Sequence, residues 1–108
     1  MKTPITFVNS KASQLAFYIK AYFSKQIPYS EVDLYLWDTL EEWAQVTIQK
    51  EEPYTTKERV FWHLVHQVSF WSENMLQNDK FLRKELKNCI AFLEGEGQCP
   101  ADCIGIRP

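Results

Sequence analysis

The first glycine of this chain is residue 95. Gly95, Gly97 and Gly105 are the only three among 108 residues, and Pro4, Pro28, Pro53, Pro100 and Pro108 are the remaining breakers. A backbone so poor in glycine and proline turns rarely, so it divides into a few long elements. Between the breakers, apolar residues recur three and four positions apart, which is the period of an amphipathic helix. Asn-Gly and related hairpin signals are absent from the sequence. The chain therefore reads as all-α.

Four helices are expected, over about residues 10–24, 30–49, 56–76 and 80–94. In the first, Val8, Ala12, Leu15, Ile19 and Tyr22 share a face, and the segment before it reads as a short extended arm. Pro28 ends that helix, because proline disfavours the helical conformation in the residue before it. The second opens at Ser30 with Asp33 as an approximate capping box, and Val32, Leu36, Trp37, Leu40, Trp43, Ala44 and Val46 form its broad stripe. Thr55 and Glu58 form a capping box for the third. Asp79 caps the fourth, whose stripe is Leu82, Leu86, Cys89, Ile90 and Leu93, and Gly95 suits the left-handed position past its end. Residues 95–108 read as an extended tail pinned by Ile104 and Ile106. Short links between amphipathic helices predict one domain over residues 1–108, an antiparallel bundle of four helices with this tail.

Charge narrows the partners. The net charge is −2 and the isoelectric point about 5.7, which gives no global attraction to nucleic acid or anionic lipid. The distribution is uneven: the first thirty residues carry four lysines and no acid, whereas residues 31–58 carry eight acids and two lysines. Lys80, Arg83, Lys84 and Lys87 form a second basic group. Internal pairing of the acidic second helix with the basic first and fourth accounts for this better than a nucleic-acid surface does. No apolar run approaches the ~20 residues of a membrane span. Lys11, Lys20 and Lys25 interrupt any leader-like stretch, so the expectation is a cytoplasmic chain with reduced thiols and no membrane partner.

The third helix is apolar on two sides. Phe61, Leu64, Val65, Val68 and Trp71 make one face. Trp62, His66 and Phe70 recur on the opposite side, with His63 and Arg59 beside them. Such a helix is either central to the fold or covered by a partner. Four Trp, five Tyr and seven Phe supply the residue types that anchor interfaces. Arg59, Trp62, His63, His66 and Phe70 are thus the expected interface, most simply between two copies of the chain.

Catalytic signatures are missing from the sequence. Three late glycines cannot build a phosphate loop, no nucleophile elbow is present, and the adjacent pairs Glu41-Glu42 and Glu51-Glu52 diverge on a helix. No cofactor is expected. A second reading places a structural zinc on His63, His66, Cys99 and Cys103, two nitrogens and two sulfurs. The His spacing is shorter than zinc sites commonly use. Cys89, on the apolar stripe of the fourth helix, reads as a small core residue. The functional expectation is a non-enzymatic protein-interaction module, a regulator or adaptor that self-associates. A zinc domain and a toxin-neutralising immunity protein are the alternatives.

Overall fold

The computed structural model describes residues 3–46, 53–100, 103 and 105–108. It is all-helical, with no strand among the described residues and five helices where the sequence pattern predicts four. These are α1 (Pro4–Phe23), α2 (Tyr29–Trp43), α3 (Thr56–Phe70), α4 (Glu73–Asn78) and α5 (Lys80–Leu93).

The expected extended arm is instead the first turn of α1. Thr3 accepts a hydrogen bond from the Thr6 amide (3.3 Å), the Thr6 hydroxyl oxygen accepts one from the Thr3 amide (2.9 Å), and Pro4 holds the first helical position. Threonine replaces the usual glutamate in this box, and proline at that position loses no hydrogen bond. The early start brings Phe7 into the centre of the core, where its ring stacks on Trp62 (6.2 Å) and meets Trp43 (5.4 Å) and Phe61 (6.3 Å).

Helix α1 and helix α5 end in the same way. Gly95 has φ +87° and Lys25 has φ +60°. In each case the next amide turns back to a carbonyl in the last turn, Glu96 to Ala91 (2.8 Å) and Gln26 to Ala21 (2.9 Å). This is the left-handed cap that glycine favours. Lys25 occupies it with a Cβ, so the turn there is strained.

Helix α2 begins at Tyr29, one residue before the expected Ser30. Pro28 is its N-cap and no side chain caps it. It ends at Trp43 rather than near residue 49, and residues 47–52 lie outside the described residues. The expected third helix is two. Trp71 leaves the helical conformation (ψ 147°), and Ser72 caps the short α4 by accepting from the Met75 amide (3.3 Å). Asp79 closes α4 and caps α5, accepting from the Leu82 amide (2.8 Å).

Helix α1 packs against α2, α3 and α5, while α3 packs on α5. Leu64 and Trp43 are both buried, but Trp37, expected on the apolar stripe of α2, is 61% exposed, because it lies at the edge of that broad stripe and faces away from α1. One ion pair is of the expected kind, Lys11 with Glu42 (2.5 Å) between α1 and α2. Lys20 pairs instead with Glu94 at the end of α5 (3.3 Å). The expected packing of α2 beside the basic α5 is not the arrangement found, since α5 packs on α1, α3 and α4. Between α1 and α2, Tyr35 stacks on Tyr18 with ring centroids 4.3 Å apart.

Burial pushes the Tyr35 phenol up to about 12 and raises those of Tyr22 and Tyr29. A pKa higher in the folded than in the unfolded chain means the folded state holds its proton longer. The resulting stability is complete below pH 10, where unfolded tyrosine titrates, and is lost as pH rises towards 12. For Tyr35 the loss should be about 2–3 kcal/mol. Denaturant titrations from pH 9 to 12 should therefore show a steeper alkaline fall in the parent chain than in Tyr35→Phe. Lys25→Gly should raise stability by about 1 kcal/mol, and an unchanged midpoint would remove the strain from that turn.

Candidate functional site: the tail on α3 and a histidine–cysteine cluster

The tail returns along α3. Cys103 is buried, and the backbone of Gly105 lies directly on the helix. A Cβ built at Gly105 would overlap the Arg59 carbonyl oxygen and the His63 amide nitrogen, and would sit 2.7 Å from the Trp62 Cβ. Only glycine permits an approach this close. Ile106 does not pin the tail through its side chain, which is 66% exposed. Its carbonyl instead accepts a hydrogen bond from His66 Nε2–H at 2.7 Å. Ile104 lies outside the described residues.

Arg107 completes the attachment. Its guanidinium donates through two nitrogens to Glu58 (2.5 and 2.8 Å) and lies over the Tyr54 ring, 4.2 Å from the centroid. Its amide donates to the Tyr54 hydroxyl at 2.9 Å. Glu58 is 0% exposed and accepts a third hydrogen bond, 3.0 Å, from the Trp62 indole N–H. The expected capping box at the start of α3 is therefore only half formed. Thr55 accepts from the Glu58 amide (3.0 Å), but the Glu58 carboxylate turns inward to Arg107 and Trp62.

This arrangement redistributes the expected interface residues. Trp62 is 0% exposed, packed by Phe7, Trp43 and Phe61 of its own chain. It is a core residue here, because the early start of α1 and the returning tail cover its side of α3. His63 is half-buried. Arg59, His66 and Phe70 remain exposed, Phe70 at 74%.

The expected zinc ligands are also rearranged. His63 and Cys103 come together, but their companion is Cys89, and the ligand atoms of the three lie within 4.8 Å of one another. The Cys89 and Cys103 sulfurs are 3.8 Å apart. His66 is engaged with Ile106, and Cys99 is exposed. Neither belongs to the cluster. Cys89 is buried in the core, as its place on the apolar stripe predicts; its nearness to His63 and Cys103 could not be read there, because a thiol on such a stripe looks like any small core residue. Its position one turn beyond Glu85, on the same face of α5, was the available signal. Glu85 Oε1 lies 3.0 Å from His63 Nε2. Burial, with the neighbouring Cys103 sulfur next, pushes the Cys89 thiol well above its usual range.

The basic group on α5 is partly used inside the fold. Arg83 donates to the Leu76 carbonyl (3.2 Å) and lies over the Phe23 ring (4.6 Å from the centroid). Among the described residues, no helix is long and apolar enough to cross a membrane. Comparison with protein-family models, curated proteins and solved structures finds no match for this chain.

Removing one partner of a buried ion pair leaves the other charge uncompensated and costs about 3–5 kcal/mol. Arg107→Ala should lose that much in urea denaturation. A loss below about 0.5 kcal/mol, typical of surface positions, would mean that the tail is not held on α3 in solution.

Proposed function

We propose that this chain is a non-catalytic protein-interaction module, built as an antiparallel bundle of four long helices, which self-associates through one side of its α3–α5 pair. Side-chain pairings support the antiparallel reading. Lys11 meets Glu42 while Tyr18 meets Tyr35 across α1 and α2. His63 meets Glu85 across α3 and α5, while Lys57 shares a surface hollow with Phe92 and Leu93.

The single observation that carries the interaction reading is the exposure of two phenylalanines, Phe70 at 74% and Phe81 at 88%. Phe81 lies one turn before Glu85 on α5, and Phe70 two turns beyond His63 on α3. Since Glu85 and His63 face each other, helical periodicity and antiparallel pairing put both rings on the same side of the seam. The exposed His66 lies between His63 and Phe70, and the exposed Ile106 is tied to it. Aromatic side chains grouped with a polar rim are what association surfaces use. The proposed interface thus keeps His66 and Phe70, with Arg59 and His63 at its edge. It replaces Trp62 with Phe81 and Ile106.

Sedimentation of the parent chain should give a dimer, and Phe70→Ser combined with Phe81→Ser should give a monomer of unchanged helical circular dichroism. A parent chain that stays monomeric at high concentration, or a double variant that still dimerises, would sink this reading.

A further inference from the structure

We propose that His63, Cys89 and Cys103 bind a structural zinc ion, with Glu85 orienting the histidine, so that the metal fastens the C-terminal tail to α3 and α5. This site shares His63 with the edge of the proposed association surface but does not depend on that surface.

The geometry matches the chemistry of the ion. Zinc–thiolate bonds are about 2.3 Å, and two thiolates on one tetrahedral zinc therefore lie about 3.8 Å apart. The Cys89 and Cys103 sulfurs are 3.8 Å apart, and the His63 ligand nitrogen falls within the same 4.8 Å cluster. Two soft sulfurs and an imidazole select zinc over magnesium or calcium, which prefer oxygen.

Glu85 adds the partner that metal-bound histidines usually have. A carboxylate accepts, so the 3.0 Å contact puts a proton on His63 Nε2, and in the proposed site the ion takes the lone pair of the other nitrogen, Nδ1. Three protein ligands leave the fourth tetrahedral position to a water molecule, in surroundings otherwise largely closed to solvent. Cys89 is 0% and Cys103 9% exposed, and the His63 side chain is 13% exposed. Three separate segments contribute: α3, α5 and the tail. Two residues beyond Cys103, Gly105 already lies against the His63 backbone, so the tail meets the helix where the ligands converge.

The test uses the full chain, freed of metal under reductant and titrated with zinc alone. Native mass spectrometry should show one zinc per chain. Cobalt in its place should give the intense near-ultraviolet absorption of thiolate-to-metal charge transfer. Zinc should raise the melting temperature of the parent chain, and Cys103→Ser or His63→Gln should lose both the zinc and the shift while keeping helical circular dichroism in its absence. Cys89→Ser, within the core, is scored only by zinc binding in chains that remain helical. Glu85→Gln should weaken binding about 10–100-fold, as changes to a ligand's hydrogen-bond partner do. Cys99→Ser and His66→Gln should bind as the parent does. Absence of zinc binding in the parent overturns the proposal. So does undiminished binding in Cys103→Ser, or loss of binding in Cys99→Ser or His66→Gln. Spontaneous Cys89–Cys103 disulfide formation in place of metal uptake would overturn it too.

Discussion

The tertiary structure depends on a carboxylate that water cannot reach. Glu58 lies in the first turn of α3 and is fully enclosed. A buried charge is tolerated only when paired and hydrogen-bonded. Its partner, Arg107, comes from the other end of the chain and supplies two donors in the planar fork that suits a carboxylate. Trp62 supplies a third donor from the next turn of α3. The pair therefore fixes the position of the tail as well as the charge. With Arg107 in place, Gly105 lies against the backbone of α3 and Cys103 falls beside Cys89.

That arrangement has a consequence for the aromatic core. Trp62 meets Phe7, Trp43 and Phe61 through its ring and Glu58 through its indole nitrogen. It thus joins the apolar core to the ionic attachment of the tail. Buried tryptophans need a partner for the N–H, and here that partner is the buried charge itself. Phe7 reaches the cluster only because α1 starts at Pro4. The Trp43 indole extends the contact in the other direction, donating to the Pro108 carbonyl oxygen at 3.5 Å. One cluster of rings is thereby connected to α1, α2, α3 and the tail.

The same tail bears on both proposals. Where its backbone lies on α3, Trp62 is covered and Cys89 and Cys103 are enclosed, while Arg59, His66 and Ile106 stay exposed beside it. Beyond it, towards the end of α3, Phe70 is exposed, and Phe81 is exposed on α5. The covered part suits a structural staple and the open part suits association. Division of one helix into a self-covered half and an exposed half explains how a helix apolar on two sides can occur in a chain of this size.

The sequence by itself determined that the chain is helical, and it located most of the helix signals. Glycine scarcity and apolar periodicity set the class. Thr55, Asp79 and Gly95 marked ends correctly, because a capping hydroxyl, a capping carboxylate and a left-handed glycine act over three or four residues. Local signals also failed where two were equivalent. Lys25 takes the conformation that Gly95 takes, without glycine to announce it, and Thr3 caps with a threonine three residues on instead of a glutamate. Ser72 divides a segment whose apolar period runs through it unbroken.

Tertiary structure alone decided which groups Glu58, Trp62 and Cys89 meet. Read locally, they are half of a capping box, an aromatic either central or covered by a partner, and a small core residue. Arg107 is 49 positions from Glu58, and Cys103 is 14 from Cys89. No helical period links such separations. Burial and pairing depend on which distant segment arrives, and that is settled only when the tail packs onto α3.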